Sequence, residues 1–258
     1  MNKSKPKVIL LTAGEGKRLR PYTLDRPKCM VQIDGLSLID RQLAVLYAEG
    51  LSNIVMIGGY RSEMLKRDNI KIINNPRFFE TNMVWSLFCA QEELEGDIIV
   101  SYGDIVYSRK ILQSLLKSNA DIAITIDKNW ESYWKLRNED PLDDAETLKL
   151  DKDGSVSEIG KKPKILDEIE GQYMGLIKLS PRGVRQMKKL FHDSVIRGNL
   201  LGKDVENAFM TDLLQGLIDE GLPIKAVEVF DCWVEVDTVD DLMLDETLKR
   251  VNKISETL

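Results

Sequence analysis

Val8 to Thr23, VILLTAGEGKRLRPYT, opens with four apolar residues, turns through Gly14 and Gly16, and carries Lys17, Arg18 and Arg20 ahead of Pro21. In an open α/β sheet, ligands bind beyond the carboxyl ends of the strands, where a strand empties into such a turn. Glycines let backbone N–H groups approach an anion closely, and the three cations put positive charge beside it. The stretch therefore predicts a phosphate cradle and points to nucleotide chemistry. It is not a dinucleotide fingerprint, because Leu19 stands where a third Gly or Ala is wanted, and it lacks the GK[ST] ending of a P-loop.

Outward from that turn, strand and helix patterns alternate. Strands are expected at 8–12, 54–57, 70–73, 98–102 and 122–126, and helices at 37–49, 61–66, 83–93 and 110–117. An excursion from the sheet follows at about 127–175, with a hairpin at 148–150 and 156–159 around the turn Asp151 to Gly154. Strands at 173–179 and 224–230, helices at 181–191 and 209–220, and one amphipathic helix at 240–253 complete the chain. This predicts a single Rossmann-like α/β domain over 1–258, its mixed, mostly parallel sheet flanked by helices, with a small β/loop subregion at the excursion.

Composition narrows the function. The 258 residues suffice for one large core. With 36 Lys+Arg against 42 Asp+Glu the net charge is −6, which disfavours a nucleic-acid partner. Cys29, Cys89 and Cys232 are widely spaced and odd in number, as expected of reduced thiols in a cytoplasmic protein. The basic start MNKSKPK runs straight into a short strand, without the apolar length of a signal peptide or a membrane span. A homodimer is left open.

Two acidic positions supply a mechanism. Asp104 follows the apolar run IIVSYG at a strand's carboxyl end, and Asp237 closes WVEVD, where alternation puts Trp233, Glu235 and Asp237 on one face. Mg²⁺ takes carboxylate oxygens and keeps its other positions for water and phosphate, so Asp104, Asp237 and Glu235 can share one ion over a nucleotide.

These residues carry a resemblance. LLTAGEGKRLRPYT followed by Pro27-Lys28 resembles the LxxGxGxRLxPLT…PK signature of nucleotidyltransferases, and the likeness continues through GDIVY at Asp104, GKKPK at 160–164, EGQYMG at 170–175 and WVEVD. ETNMVWSL at 80–87 resembles the TNxxxSL segment of the branch that acts on phosphocholine, aminoethylphosphonate or phosphoglutamine. The resemblance implies that CMP passes from CTP to a small phosphorylated or phosphonate acceptor, with release of pyrophosphate. Gly14 and Gly16 would wrap the triphosphate, Arg18 would hold its outer phosphates and Lys28 would offset charge near the α-phosphate. Leu11, Ala13, Asn82 and Ser86 would surround cytosine and ribose, while Asp104, Asp237 and Glu235 would hold Mg²⁺. For Asn82 and Ser86, a plain helix N-cap explains the same residues equally well.

For the acceptor, Trp130, Tyr133 and Trp134 stand with Glu139, Asp140, Asp143 and Asp144, a mixture suited to an amine through cation–π contact and ion pairing, though a solvated acidic flap with the tryptophans in a small core of its own explains any one of them equally well. Glu170 and Tyr173 are expected in that pocket, and Lys161 or Lys162 at the acceptor's phosphate. His192 receives no catalytic role. The competing readings are a sugar-1-phosphate nucleotidyltransferase, a nicotinamide oxidoreductase and a non-catalytic nucleotide-binding regulatory module. The approximated EKP motif weighs against the first and the missing third glycine against the second. The joint presence of Arg18, Lys28, Asp104 and Asp237 weighs against the third.

Overall fold

The computed structural model describes residues 5–256, so Met1 to Ser4 of the basic start lie outside it. The first half alternates strand and helix as expected: β1 (Lys7–Leu11), a short hairpin of β2 (Gln32–Ile33) and β3 (Leu36–Ser37), α1 (Leu38–Ala48), β4 (Ile54–Gly58), β5 (Lys71–Asn74), α2 (Met83–Phe88) and β6 (Ile98–Tyr102). Then come β7 (Ile105–Tyr107), α3 (Arg109–Lys117) and β8 (Ile122–Asp127). The excursion holds α4 (Trp130–Arg137) and the hairpin β9 (Leu148–Leu150) and β10 (Val156–Ile159). The chain returns through β11 (Gln172–Leu179), α5 (Pro181–Arg197), α6 (Met210–Asp219), β12 (Lys225–Val229) and β13 (Trp233–Glu235), and finishes with α7 (Val239–Met243) and α8 (Asp245–Ser255).

Seven strands form the main sheet in the order β12-β8-β11-β6-β1-β4-β5, parallel except for β11, which runs antiparallel to both neighbours. Strand residues alternate between two cores. Ile9, Ile98, Val100, Ile122 and Ile124 face α2, α5 and α6, while Val8, Leu10, Ile99 and Ala123 face α1 and α3. Burial on both faces is why these strands read as nearly unbroken apolar runs. A third core, formed by Val106, Val234, Val236, Val251 and Ile254, seats α8 on the small β7–β13 ribbon.

Two expected helices are broken, and the one expected at 61–66 is a single 3₁₀ turn at Ser62–Leu65. The 83–93 helix ends at Phe88 and tightens into a 3₁₀ turn at Gln91–Glu93, where Lys7 (2.6 Å) and Lys71 (2.5 Å) pull Glu93 toward the sheet. The tail helix divides at Leu244, which is extended (φ −66°, ψ 125°). Thr238 and Asp241 cap α7 reciprocally, and the break lets α8 lay Val251 and Ile254 on the ribbon. The β7–β13 pairing was not legible, since three-residue strands lack a period. Among the described residues no helix is long and apolar enough to cross a membrane.

Gly103 sits where β1 and β6 end side by side, and a Cβ there would stand 2.6 Å from the Leu11 carbonyl oxygen. Gly103→Ala is expected to force the two strand ends apart and to cost about 1–3 kcal/mol, the usual scale of overpacking. The urea midpoint should fall, and an unchanged midpoint would mean that the strand ends yield freely.

Candidate active site

The loop after β1 is held from below. Thr12 donates its backbone N–H (3.0 Å) and its hydroxyl (2.9 Å) to the Ile57 carbonyl, Tyr60 N–H reaches the Ala13 carbonyl at 3.1 Å, and Lys28 N–H reaches the Gly14 carbonyl at 3.1 Å. Gly16 takes a left-handed conformation (φ 67°), which L residues adopt only with strain, and a Cβ there would press on the Lys28 side chain at 3.0 Å. The backbone N–H groups of Ala13, Gly14, Glu15 and Gly16 have no acceptor within the described chain. Four unsatisfied donors on one bend are what a phosphate chain requires.

The cations of the turn divide. Glu15 takes Arg20 and, at 3.6 Å, Lys17, so these two are already paired. Arg18 is 63% exposed and reaches only Asp237, at 3.3 Å. Of the three cations that the sequence suggested for phosphate, Lys17 and Arg18 border the second cavity together with Lys28, and Arg20 does not.

Lys28 lies between two carboxylates, with its Nζ 2.5 Å from Asp104 Oδ2 and also bonded to Asp237 Oδ1. The β7–β13 ribbon brings these acids together, because Val236 N–H donates to the Asp104 carbonyl at 3.1 Å. Burial disfavours the ammonium, but Asp104 and Asp237 more than offset that and raise the Lys28 pKa. Burial likewise works against the Asp237 carboxylate, and Lys28 reverses the sign and holds its pKa below the ordinary value. Asp104 Oδ1 is buried and has no hydrogen-bond partner.

Two facing carboxylates that share a cation, one with an unsatisfied buried oxygen, fit a hard divalent ion. The expected third ligand does not join them. Arg137 Nη1 holds Glu235 Oε2 at 3.0 Å, and among the described residues no three acidic, Cys or His side chains converge on one point. Burial, then the nearby Asp237 charge, pushes the Glu235 carboxyl up to about 8.

Three adjoining cavities meet at Lys28, which lines all of them. The first is walled by Leu11, Ala13, Asn82 and Ser86, the four expected around cytosine and ribose, and by Gly14 and Asp104. Asn82 is also the N-cap of α2, with its Oδ1 accepting from Met83 N–H at 2.8 Å, as the N-cap reading expects. The second cavity has Gly16, Arg18 and Asp237 in its wall. Phe78, from the loop between β5 and α2, borders both and was missed; its place past the carboxyl end of a strand is the signal that could have found it.

The third cavity adjoins Lys28, Asp104, Glu235 and Asp237, and its wall includes Trp134, Asp144, Glu146, Gln172, Tyr173 and Phe209. Tyr173, expected in the acceptor pocket, lines this cavity. Trp130 is not: it is 4% exposed and packs edge-on against Trp134 inside the core under α4, away from the cavity. Glu170 accepts from Leu150 N–H at the β9 hairpin, and the Lys161 ammonium pairs with Glu158, both at 2.5 Å, so neither lines this cavity. Lys162 bonds the carbonyls of Leu142 and Asp143. The acids that do line it, Asp144 and Glu146, lie just beyond the acidic run that the sequence marked or at its end. Burial, then the Asp212 charge, raises the Glu146 carboxyl to about 7.

A family model described as the MobA-like NTP transferase domain matches residues 8–165. The CTP:phosphoglutamine cytidylyltransferase of Campylobacter jejuni is 39% identical over 246 residues, which span 91% of this chain and 96% of that one. The choline-phosphate cytidylyltransferase of Streptococcus pneumoniae is 29% identical over 116 residues, 43% of this chain and 51% of that one. Among solved structures, the inositol-1-phosphate CTP transferase of T. maritima superposes with a TM-score of 0.77 over 100% of this chain and 99% of that one. At 21% identity that likeness speaks for the fold.

The placement of Trp130 is open to a direct check. Trp130→Ala should cost about 3–5 kcal/mol of stability, as emptied aromatic core sites do. Thermal unfolding reads that loss. Calorimetric titration with a nucleoside triphosphate should give an affinity within about twofold of the parent, since Trp130 borders neither of the first two cavities.

Proposed function

The chain belongs to the family of nucleotidyltransferases with a MobA-like NTP transferase domain, and from that premise we propose that it is a CTP-dependent cytidylyltransferase acting on a small phosphorylated acceptor. The observation that carries this reading is the position of Lys28, in the wall of all three cavities and between Asp104 and Asp237. Nucleoside, phosphate and acceptor spaces thus meet at one ammonium.

An acceptor oxyanion attacks the α-phosphorus of CTP in line; one P–O bond forms, the bond to the β-phosphate breaks, and pyrophosphate leaves with the electron pair. The nucleophile is already ionised at neutral pH, so no general base is needed, and the protein's share is positioning and charge neutralisation. Leu11, Ala13, Asn82 and Ser86 hold the nucleoside, the free N–H groups at Gly14 and Gly16 hold the phosphates, and Arg18 and Lys28 offset their charge. Asp104 and Asp237 are the residues that would hold Mg²⁺, which when bound neutralises charge on the triphosphate.

The third cavity supports an amine-bearing acceptor. Trp134 and Tyr173 supply aromatic surface and Asp144 and Glu146 supply carboxyls, in place of the Trp130, Glu170 and Lys161 named from sequence. The Campylobacter relative makes phosphoglutamine the first acceptor to try. A cytoplasmic location is part of the same proposal; it rests on the nucleotide chemistry and on three cysteines that are all free thiols.

Incubation with CTP or UTP, Mg²⁺ and phosphoglutamine, phosphocholine, 2-aminoethylphosphonate or glucose 1-phosphate, with pyrophosphate followed, is the test. Turnover is expected with CTP and an amine-bearing acceptor, and activity confined to the sugar phosphate would overturn the reading. Lys28→Ala and Asp104→Asn should each lower kcat by roughly 10²–10³, the scale of losing a charge-stabilising contact.

Glu146 adds a pH dependence. Its carboxyl, raised to about 7, gains charge as pH rises through neutrality, so kcat/KM for a cationic acceptor should climb from about pH 6 to 8. The same proton is lost by the unfolded chain at a lower pH, so this group costs native stability as pH rises from about 4.5 to 7. Glu146→Gln should flatten both profiles, and profiles identical to the parent would remove Glu146 from the acceptor site.

A further inference from the structure

Arg137, at the end of α4, is not accounted for by the chemistry above, yet its side chain is only 2% exposed. Its Nε donates to Asp241 Oδ1 at 2.8 Å, Nη2 to Asp241 Oδ2 at 3.3 Å and Nη1 to Glu235 Oε2 at 3.0 Å, and Nη2 lies 3.9 Å from Asp144 Oδ2. The guanidinium also lies over the rings of Trp134 (4.8 Å) and Tyr133 (5.3 Å). A buried ion cluster is weak evidence for stability, because desolvation offsets the attraction, whereas its geometry constrains whatever it touches.

What it touches is the support of the carboxylate pair. Asp241 Oδ2 accepts the backbone N–H groups of Asp237 and Thr238, each at 2.9 Å, so Asp241 fixes the backbone from which the Asp237 carboxylate projects. Tyr133 exchanges hydrogen bonds with the Glu235 backbone, at 3.3 and 3.4 Å. The Glu235 side chain is drawn to Arg137 rather than toward Asp104. On its other side the guanidinium rests on Trp134 and reaches toward Asp144, and both of these line the third cavity.

We propose that Arg137 is a positioning residue for the transfer reaction. Through Asp241 and Glu235 it sets where Asp237 stands opposite Asp104, and through Trp134 it ties that setting to the wall of the acceptor cavity. The inference rests on the reading of Asp104 and Asp237 as the cation pair of a cytidylyltransferase. Acceptor binding and the spacing of the two carboxylates then share one guanidinium, and a planar fork lying on a ring is not reproduced by an ammonium.

Arg137→Lys, Arg137→Ala and Asp241→Asn provide the test, with circular dichroism and thermal unfolding as the check on folding. Electron paramagnetic resonance of Mn²⁺ titrated into protein with CTP, without acceptor, reads cation affinity independently of turnover. Arg137→Lys and Asp241→Asn should weaken Mn²⁺ binding about tenfold, the lower end of what residues supporting metal ligands contribute. Arg137→Lys should also raise the acceptor KM, while the KM for CTP at saturating metal stays near the parent value.

Folded variants with parental Mn²⁺ affinity and parental acceptor KM overturn the proposal. So does a loss of kcat that tracks lost folded protein with every KM unchanged, since that is packing alone. If Arg137→Ala fails to fold, the other two variants decide. If the parent turns over no acceptor, the assigned activity fails, and the Mn²⁺ titration still tests Arg137.

Discussion

An ammonium held between two carboxylates is the interaction on which the cleft depends. Lys28, Asp104 and Asp237 come from three distant parts of the chain, and each is mostly withdrawn from water, with side-chain exposures of 15%, 20% and 17%. Burial works against the charge of Lys28 and of Asp237, and their pairing more than offsets it and keeps both ionised. The partners also differ in freedom. The two acids are anchored by backbone bonds on the β7–β13 ribbon, whereas Lys28 has a long flexible stem whose tip can follow a phosphate. The cleft therefore presents anchored anions beside cations on flexible stems, Lys28 and Arg18, an arrangement suited to a reaction in which charge on a triphosphate is redistributed.

The parts of the molecule legible in sequence are those fixed by local rules. The strand and glycine turn at 8–16 were readable because an apolar run and a residue with φ 67° leave a mark in composition. Asp104 was readable from its place after a buried strand, and Asp237 from strict alternation in WVEVD. Helix α1 was readable to within a residue, since Ser37 caps it and Gly50 closes it.

The acceptor side resisted because tertiary contacts decide it. Trp130 and Trp134 are one helical turn apart and both buried, yet only Trp134 reaches the cavity; nothing in their spacing separates them. Glu146 lines the cavity because its backbone is bracketed by the Gln172 side chain, at 2.7 and 3.5 Å, a contact across 26 residues. Of the cations after Gly16, Arg20 is the one that leaves the cleft, drawn to Glu15, and which cation a flexible carboxylate selects is not written in the order of residues.

The ribbon that unites Asp104 with Asp237 also orders events in time. Lys28 and Asp237 are 209 residues apart, so their contact closes nearly the whole chain into one loop, the kind of contact whose chain-entropy cost is met only after nearer pairings are in place. The main sheet gains its inner strands from residues 7–179 and can organise while β13 is still untethered. The cradle after β1 therefore lacks its facing acid until the last segment is laid down, and the pairing of Asp104 with Asp237 is the step that completes the cleft.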